Sequence, residues 1–472
     1  MKKIHFTGIG GSGMSALSQI CAMESNSVSG SDRDFDIGKN QFLKDKLEKL
    51  GIKIFRQDGG GIDRRTDIAV VSTAVEETNP EILKAKYLGI KLIHRSRMLA
   101  DYVNRFKTIA VGGTSGKSTV VAMIFTILSD AGFSPGLITG GAMLELMEKG
   151  FAGNAYKGTS DILVIEADES DGTIAEYRPY LGVILNITND HKDIPELKRI
   201  FSKFAGRCKK LLLNADDRNL EKLAEHAEFF SAYSGRSQSS RHRLRAMPPC
   251  SGKYRISDFK AGSFCSEFSI DNVGFFLPLP GMCNAENAAA AVAACAVFGI
   301  SIEQASRALR KYRGVHRRFQ VIGRAGGITV MDDYAHNPAK IKAFLESLHS
   351  ADARRVIAIY QPQGFAPTRH FRKELVNAFI SGLGENDILF MPEIYYAGGA
   401  VVKDISSRNL VDDIAAQGRN AFYISERDKI TERLMQIAKT GDIIAVMGAR
   451  DPSLPEFAEK IFKAITLSNP AG

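Results

Sequence analysis

The feature that most constrains this chain is the stretch at residues 106–119, which reads FKTIAVGGTSGKST. Its apolar, β-branched start predicts a strand, its glycines predict a tight loop, and residues 119–130 predict a helix. Glycines allow successive backbone N–H groups to face one anion, while the helix N-terminus and Lys117 add positive charge. The hydroxyl directly after the lysine, that of Ser118, is where such loops hold Mg²⁺. The stretch therefore predicts a loop that binds nucleotide phosphates.

This loop departs from the usual pattern G-x-x-x-x-G-K-[ST]. Val111 stands at the first glycine position, and Gly112 and Gly113 follow it. The alternative is a glycine-rich turn between a strand and a helix, with an exposed lysine. The strand pattern before the loop and the helix pattern after it favour the phosphate loop, because the motif has its meaning in that context.

A second glycine-rich loop lies near the N-terminus. Residues 3–7 predict a short strand, which is followed by GIGGSGM at 8–14 and a predicted helix at 15–22. This is the G-x-G-x-x-G pattern in the strand-to-helix context of a Rossmann unit. Asp32 follows the next predicted strand, where such a unit places an acid on a ribose. Taken alone, the pattern fits NAD as well as any other nucleotide with a pyrophosphate.

Two later strands end in polar residues. The strand predicted at 161–165 runs into EADESD, which begins at Glu166, and the strand at 181–185 runs into NITNDH, which ends at His191. The carboxyl ends of parallel strands form the edge where open α/β sheets bind ligands, so we expect Lys117, Glu166 and His191 to converge. Clustered carboxylates suit Mg²⁺, a hard cation that prefers oxygen. The alternatives are a solvated acidic turn and a structural histidine.

Composition limits the classes of partner. The 62 basic and 53 acidic residues give a net charge of +9, which suits anionic small molecules. We expect no nucleic-acid partner, because no basic face is interleaved with aromatic residues and the chain has no tryptophan. The six cysteines form no C-x-x-C pair, which indicates a reducing compartment. The N-terminus does not resemble a signal peptide, and the most apolar predicted helix, 285–300, is too short to span a bilayer. The expected protein is cytoplasmic, has no membrane partner, and is a monomer or a weak homodimer.

The pattern of strands and helices predicts an α/β fold of three domains. A chain of 472 residues that is 44% apolar can form about three domains, each with its own core. Residues 1–105 predict a Rossmann-like domain, and residues 106–316 a central domain of the phosphate-loop ATPase type with a mostly parallel sheet. Residues 317–472 predict a second Rossmann-like domain, with strands at 328–331, 356–360, 387–391 and 442–447.

Taken in order, the motifs resemble those of the Mur ligases. Their order and spacing carry the resemblance, because no single segment is specific enough. The matching segments are GIGGSGMS at 8–15, STAV at 72–75, HRSRML at 94–99, GTSGKST at 113–119, EADESD at 166–171, GVHRRF at 314–319 and DDYAH at 332–336.

The resemblance implies an ATP-dependent ligase of peptidoglycan precursor synthesis. In this chemistry the γ-phosphate of ATP passes to a carboxylate, and the amine of an amino acid attacks the acyl phosphate. Within the family, the sequence is most similar to the ligase that joins L-alanine to UDP-N-acetylmuramate, with ATP and Mg²⁺ as cofactors. The first domain would bind the UDP substrate and the third the amino acid. Alternatives are a muropeptide-recycling ligase and a catalytically altered, Mur-like nucleotide-binding protein, and a nicotinamide-dependent oxidoreductase is the rival from another class.

The resemblance also implies a role for each matching residue. The implied catalytic residues are Lys117, Glu166, His191 and Arg318, and the implied metal ligands are Ser118, Glu166 and His191. ATP would be bound by Gly113, Thr114, Ser115, Gly116, Lys117, Ser118, Thr119, Asn284, Asn287 and Asp333. The asparagines would face the adenine, Asp333 the ribose, and Arg318 the γ-phosphate. The UDP-linked substrate would be bound by Gly10, Gly11, Ser12, Gly13, Asp32, Ser72, Arg95 and His336.

Several positions differ from the family pattern. Ser115, Cys283 and Asn337 each stand where the family has a histidine, and Ser118 replaces a threonine but keeps the hydroxyl. Residues 363–364 are Gln-Gly where the alanine-adding ligases tend to have His-Arg. The identity of the added amino acid is therefore left open by the sequence.

Overall fold

The computed structural model describes residues 1–169, 173–188, 193–230, 253–349, 354–396, 401–449 and 451–468. The chain divides into two compact units, which we describe separately. The first comprises Met1–Asp258, Phe268–Phe275 and Ala285–Val315, and the second comprises Phe259–Glu267, Phe276–Asn284 and His316–Gly472. The domain boundaries expected at residues 105 and 316 stay a prediction. In the described ranges, every helix is too short or too polar to cross a membrane.

The first unit begins with a five-stranded parallel sheet. Its strands run in the order β3-β2-β1-β4-β5, so the loops that follow them emerge at one edge. The elements are β1 (Lys3–Thr7), α1 (Ser12–Met23), β2 (Ser27–Ser31), α2 (Arg33–Asp36), α3 (Gln41–Lys49), β3 (Lys53–Phe55), β4 (Ile68–Val71), α4 (Pro80–Tyr87), β5 (Lys91–His94) and α5 (Arg95–Arg105). The predicted Rossmann-like sheet is confirmed, whereas α2, α3 and α5 were not predicted.

Close approach between β1 and β2 fixes the first glycine loop. A Cβ atom built on Gly30 would lie 2.6 Å from Ile9 Cδ1 and 2.7 Å from the carbonyl oxygen of Phe6. The chain leaves β1 through Gly8, whose φ of +80° favours glycine. The N–H groups of Gly8 and Ile9 then donate to the carbonyl oxygen of Ser31, at 2.8 and 2.9 Å. The start of the turn is thus bonded to the last residue of β2.

The second sheet of the first unit has seven strands in the order β12-β11-β10-β6-β9-β7-β8. Its elements are β6 (Lys107–Gly112), α6 (Lys117–Asp130), β7 (Gly136–Ile138), α7 (Leu144–Glu148), β8 (Ala155–Tyr156), β9 (Ile162–Glu166), β10 (Leu181–Ile184), α8 (Ile194–Ala205), β11 (Lys210–Asn214) and β12 (Glu228–Phe230), with 3₁₀ helices at Thr173–Glu176 and Arg218–His226. All pairs are parallel except β7 with β8. The mostly parallel central sheet is therefore confirmed.

Helix α6 is enclosed over most of its length. Every residue from 118 to 128 is buried. A helix that is apolar on all sides, as this one is, suits such a position. It follows β6, which lies in the middle of the sheet between β10 and β9. The predicted phosphate loop therefore stands at the centre of the sheet edge.

A small sheet and two helices complete the central part of the chain. The sheet order is β13-β14-β15, formed by Ile256–Gly262, Cys265–Ile270 and Val273–Leu277, and the helices are α9 (Met282–Ala296) and α10 (Ile302–Leu309). β14 and β15 are neighbours in this sheet and are separated by two residues, and β13 is the third strand. Residues 231–252, which precede this sheet, lie outside the described residues.

The second unit contains a six-stranded sheet in the order β16-β17-β21-β18-β19-β20. Its elements are β16 (Gln320–Ala325), β17 (Ile328–Asp333), α11 (Pro338–His349), β18 (Arg355–Tyr360), α12 (Phe365–His370), α13 (Arg372–Gly382), β19 (Ile388–Met391), α14 (Ser407–Ala415), β20 (Asn420–Tyr423), α15 (Arg427–Ile437), β21 (Asp442–Met447) and α16 (Leu454–Ser468). Only β16 is antiparallel to its neighbour. Two apolar clusters flank the sheet. The predicted Rossmann-like unit is confirmed, and the edge strands β16 and β20 are additions.

The contact between β1 and β2 yields a test. We expect Gly30→Ala to lower the free energy of unfolding by about 1–3 kcal/mol, because its methyl group would overlap the Phe6 carbonyl. Gly274→Ala is the matched control in another strand, since a Cβ atom there meets nothing within 4 Å. Urea unfolding followed by circular dichroism measures both. Equal midpoints for the two variants would contradict the packing described here.

Candidate active site

The phosphate loop requires glycine at two positions. Gly113 has a φ of +135° and Gly116 a φ of +87°, both in the region that favours glycine. A Cβ atom on Gly113 would lie 3.1 Å from the backbone nitrogen of Asn186, and one on Gly116 would lie 2.4 Å from Asn287 Oδ1. Helix α6 begins directly afterwards at Lys117. The backbone is thus turned tightly before a helix N-terminus, as a phosphate-binding loop requires.

The segment after β10 holds this loop in place. Asn186 Oδ1 accepts hydrogen bonds from the N–H of Ser115 at 2.9 Å and from Thr114 Oγ1 at 2.8 Å. Asn186 Nδ2 returns a bond of 3.1 Å to the carbonyl oxygen of Ser115. The N–H of Thr188 donates to Thr114 Oγ1 at 3.0 Å. Asn186 is not among the site residues predicted from the sequence, although its place as the first polar residue after a buried strand was the available signal.

Lys117 is buried with its charge compensated. Its Nζ donates to the carbonyl oxygen of Gly113 at 2.6 Å and to Glu169 Oε2 at 2.9 Å. The side chains of Lys117 and Glu169 are only 12% and 6% exposed. Burial alone would lower the pKa of Lys117, but the carboxylates of Glu169, Glu166 and Asp168 outweigh it and raise that pKa. The ammonium group therefore stays charged, and a phosphate would compete with Glu169 for it.

Ser118 and Glu166, the two predicted metal ligands within the described residues, are hydrogen-bonded to each other. Glu166 Oε2 accepts hydrogen bonds from Ser118 Oγ at 2.8 Å, Thr139 Oγ1 at 3.0 Å and the N–H of Gly140 at 2.9 Å. A carboxylate beside a hydroxyl offers the hard oxygen atoms that Mg²⁺ prefers. The third predicted ligand, His191, lies outside the described residues. Inside the described ranges, no group of three histidine, cysteine or carboxylate side chains is arranged to hold a metal.

The other residues predicted to bind ATP are divided between the first and the second unit. Thr119 is buried in the first turn of α6. Asn287, on α9, lies against Gly116, as the distance above shows. Asn284 belongs to the second unit, where its Nδ2 donates to the carbonyl oxygen of Pro280 at 2.7 Å. Its amide group is thus already hydrogen-bonded to its own chain.

In the first sheet, Asp32 is bonded to the glycine loop. Its Oδ2 accepts a hydrogen bond of 2.8 Å from the N–H of Gly10, and its Oδ1 accepts one of 2.9 Å from the N–H of Asp34. The second bond makes Asp32 the N-cap of α2. Burial raises the pKa of Asp32, and the two N–H donors oppose that rise. The structure therefore gives Asp32 a local role in addition to the predicted contact with substrate.

The remaining predicted UDP-binding residues of the first unit lie at the same edge. Gly11 is the N-cap of α1, and Ser12 is the first residue of that helix. A Cβ atom on Gly13 would lie 2.6 Å from Arg95 Nη1, so the guanidinium group covers the start of α1. Ser72 directly follows β4, the neighbour of β1. These residues therefore lie at one edge of the sheet, and their contact with a substrate stays a prediction.

In the second unit, Asp333 ends β17 and is buried. Its Oδ2 accepts a hydrogen bond from the N–H of Phe319 and its Oδ1 one from the N–H of Ala335, both at 2.7 Å. Burial raises the pKa of Asp333, and the charge of Arg318 opposes that rise. Both carboxylate oxygens thus fix the local backbone. A ribose would have to bind beside these bonds, using the remaining lone pairs.

The two adjacent arginines of this unit differ in their surroundings. Arg317 is buried, with its Nε 3.0 Å from Asp332 Oδ2 and its Nη2 2.7 Å from the carbonyl oxygen of Gly448. Arg318 is half-buried and lies over the ring of Tyr334, at 5.0 Å from the centroid. Within the described parts of the chain, Arg318 forms no hydrogen bond or ion pair. Arg317 is therefore an anchor, and Arg318 is the arginine that can bind a ligand.

His336 contacts Tyr334, the residue whose ring Arg318 covers. Its side chain is buried, and its Nδ1–H donates to the carbonyl oxygen of Tyr334 at 2.9 Å. The ring stands edge-on to that of Tyr334, with 5.5 Å between the centroids. The structure thus gathers Arg318, Asp333 and His336 around the segment that follows β17.

Three family models match successive parts of the chain. Residues 3–107 match the Mur ligase family catalytic domain, residues 111–295 the Mur ligase middle domain, and residues 317–450 the glutamate ligase domain of Mur ligases. The chain belongs to the Mur ligase family. Members of this family are ATP-dependent ligases, so this protein is one too. The resemblance inferred from the motifs is confirmed.

Curated relatives match this Mur ligase along nearly its whole length. The UDP-N-acetylmuramate–L-alanine ligase of Synechococcus sp. (strain RCC307) is 33% identical, over 95% of this chain and 93% of its own. The enzyme of the same name from Desulforamulus reducens is 33% identical, over 95% of each chain.

Solved structures show the same fold. The ligase MurC from Thermotoga maritima superposes with a TM-score of 0.80 at 24% identity, covering 99% of this chain and 100% of its own. A murein peptide ligase from Psychrobacter arcticus gives a TM-score of 0.68 at 22% identity, covering 98% and 99%. At these identities the likeness concerns the fold alone.

Three positions at which the family has a histidine carry other residues here, and each of these residues contacts groups of the surrounding structure. Ser115 takes part in the phosphate loop through its backbone, as described above. Asn337 is buried, and its Oδ1 accepts a hydrogen bond of 2.9 Å from the N–H of Lys340 at the start of α11. Asparagine is well suited to such a helix start. Cys283 Sγ lies 4.0 Å from Ser347 Oγ.

The buried pair of Lys117 and Glu169 predicts a coupled effect on stability. Lys117→Met should abolish ATP turnover and lower the free energy of unfolding by about 3–5 kcal/mol, because it leaves the Glu169 carboxylate buried without a partner. Lys117→Met/Glu169→Gln should stay inactive but recover most of the lost stability, since the uncompensated charge is gone. Phosphate release and chemical unfolding measure the two effects. A double variant no more stable than the single one would contradict the charge pairing.

Proposed function

We propose that this Mur ligase joins L-alanine to the carboxylate of UDP-N-acetylmuramate in peptidoglycan precursor synthesis, with conversion of ATP to ADP and phosphate. The observation that carries the proposal is the match, from end to end, with ligases of that name at 33% identity. The phosphate loop, with its charged and buried Lys117, supplies the site for the triphosphate that such a reaction needs.

The reaction has two steps. In the first, a carboxylate oxygen attacks the γ-phosphorus, and the bond to the β,γ-bridging oxygen breaks, which gives an acyl phosphate and ADP. In the second, the amine of alanine attacks the carbonyl carbon, phosphate leaves, and a proton is lost from nitrogen. Charge develops first on phosphoryl oxygens and then on a tetrahedral oxyanion, so the protein contributes mainly placement and positive charge.

In this proposal the phosphate loop holds the β- and γ-phosphates. Residues 113–116 present backbone N–H groups, α6 contributes the partial positive charge of its N-terminus, and Lys117 contributes a full charge. Ser118 and Glu166 would hold Mg²⁺, with His191 as the further ligand that the family pattern implies. Bound there, the ion would neutralise phosphoryl oxygens.

Four further residues are proposed to contact ATP on the family pattern alone. Arg318 would contact the γ-phosphate, because, unlike Arg317, it forms no hydrogen bond or ion pair among the described residues. Asp333 would contact the ribose, and Asn284 and Asn287 the adenine. His336 is proposed to contact the UDP-linked substrate.

The loop between β1 and α1 is proposed to bind the UDP pyrophosphate. The N-terminus of α1 and the guanidinium group of Arg95, which lies at Gly13, both favour an anion there. Asp32 and Ser72 would border the site. The positive charge of Arg95 beside this loop suits a pyrophosphate. Because the chain belongs to the Mur ligase family, the alternative of a nicotinamide-dependent oxidoreductase is set aside.

The molecule that is joined to UDP-N-acetylmuramate distinguishes the proposed reaction from its main alternative, that of a muropeptide-recycling ligase. One solved structure of similar fold is a UDP-N-acetylmuramate:L-alanyl-γ-D-glutamyl-meso-diaminopimelate ligase from Neisseria meningitides. By its name, that enzyme joins a peptide, and not a single amino acid, to UDP-N-acetylmuramate. Residues 363–364 depart from the pattern of alanine-adding ligases. The peptide-adding reaction is therefore the alternative that has to be tested. Nucleotide substrates of this kind suit the cytoplasm, where we place the protein.

Product analysis tests this function. The purified enzyme should release phosphate from ATP only when UDP-N-acetylmuramate and an amino acid are both present. Given a mixture of the twenty amino acids and the tripeptide L-alanyl-γ-D-glutamyl-meso-diaminopimelate, it should form UDP-N-acetylmuramoyl-L-alanine as the main product by mass spectrometry. A product that carries the tripeptide would select the recycling alternative. Tight binding of both nucleotides without any product would select the catalytically altered protein.

A further inference from the structure

Two buried side chains connect the glycine loop of the first sheet to the metal-binding carboxylate of the second. They are Asn154, which precedes β8, and Thr139, which follows β7. Their side chains are 6% and 3% exposed, respectively. Neither has been given a role above, and both belong to the first unit, as do the two loops that they join.

Asn154 binds the beginning of α1 through its amide group. Its Nδ2 donates to the carbonyl oxygen of Ser12 at 3.0 Å and to Ser15 Oγ at 2.9 Å. Its Oδ1 accepts a hydrogen bond of 2.8 Å from Gln19 Nε2. Ser12 is the first helical residue after the glycine loop, and it lies 142 positions away in sequence. Asn154 therefore fixes the loop proposed to hold the UDP pyrophosphate.

Thr139 continues the connection to the other loop. Its backbone N–H donates to the carbonyl oxygen of Asn154 at 3.0 Å. Its Oγ1 donates to Glu166 Oε2 at 3.0 Å, the oxygen that also accepts from Ser118 Oγ. An unbroken series of hydrogen bonds thus runs from Ser12 through Asn154, Thr139 and Glu166 to the first turn of α6.

We propose that Asn154 and Thr139 are positioning residues, which hold the UDP-binding loop at a fixed distance from the ATP phosphate loop. This inference rests on the proposed function. The carboxylate of the UDP-linked substrate and the γ-phosphate are anchored on different loops, and they react only when placed within about 3–3.5 Å of each other. A displacement of about 1 Å between two anchors can cost about 100-fold in rate. Buried, fully hydrogen-bonded side chains between the loops limit such displacement.

A purely structural role would have a different signature. If these side chains only stabilised the fold, their loss would weaken binding of each nucleotide and lower stability together. If they position the loops, each nucleotide alone should still bind, and the loss should appear in kcat. Separate binding and rate measurements therefore distinguish the two roles.

The first test uses Asn154→Asp, which keeps the shape and the Oδ1 acceptor but removes the donors to Ser12 and Ser15. We expect kcat to fall about 10-fold to 100-fold. We expect the Kd of a non-hydrolysable ATP analogue and the Kd of UDP-N-acetylmuramate, each measured alone by calorimetry, to change less than threefold. The control is Asn26→Asp, because Asn26 Nδ2 donates to the carbonyl oxygen of Cys21 at 3.1 Å, near the far end of α1. Its kcat should match that of the wild type.

The second test compares two substitutions of Thr139. Thr139→Val removes the hydroxyl group at nearly constant shape, and it should lower kcat as Asn154→Asp does, at saturating Mg²⁺. Thr139→Ser keeps the hydroxyl donor to Glu166, and it should restore kcat to within threefold of the wild type.

Some outcomes would overturn the inference. An unchanged kcat in Asn154→Asp and Thr139→Val would do so, as would losses of single-ligand affinity that account for the whole fall in kcat. If the wild type formed no product at all, the proposed function would fail separately. Positioning would then be tested by calorimetry without turnover: it predicts that the wild type binds either ligand more tightly when the other is bound, and that both variants lose this effect. Its absence from the wild type, or its persistence in the variants, would overturn the inference.

Discussion

The structure of the proposed ATP site depends on keeping a buried lysine charged. Lys117 lies at the start of a helix that is enclosed over most of its length, where an isolated ammonium group would be costly. Glu169 accepts a hydrogen bond from it at 2.9 Å, and Glu166 and Asp168 add negative charge nearby. A phosphate could thus take the place of one of the negative partners of Lys117. Glu166 is the last residue of β9, and its Oε2 joins α6 to the segment after β7.

The same physical rule explains both nucleotide loops of the first unit. In each sheet a central parallel strand, β1 or β6, turns through glycines with positive φ into a helix. Neighbouring strands then deliver polar groups to the same edge: Asp32 after β2, Asn186 after β10, and Glu169 after β9. Each of these side chains bonds the adjacent loop in the structure. The loops are therefore held in shape by strand ends, and their backbone N–H groups and helix N-termini are left to face ligands.

Local sequence patterns predicted most of the architecture. The α/β class, the two strand–glycine–helix loops and the mostly parallel sheets followed from apolar runs and glycine positions, and the pairing of Ser118 with Glu166 followed from strand ends meeting at one edge. Short or edge elements such as β8, β16 and β20 were missed, since they carry little apolar pattern. The partners of the site were also missed: Asn154 contacts a residue 142 positions away, and Thr139 one 27 positions away. Such contacts arise from tertiary packing and leave no periodic signal in one sequence.

The central claim is that ATP binds at Lys117 and that the first glycine loop takes the UDP-linked substrate. The most direct measurement is a crystal structure with a non-hydrolysable ATP analogue, Mn²⁺ and UDP-N-acetylmuramate, with the metal located by its anomalous signal. The account predicts the triphosphate along residues 113–118, Lys117 moved from Glu169 to a phosphate, the metal beside Ser118 and Glu166, and the UDP pyrophosphate at residues 10–13. A triphosphate bound at residues 10–13, with the Lys117 to Glu169 bond intact, would contradict it.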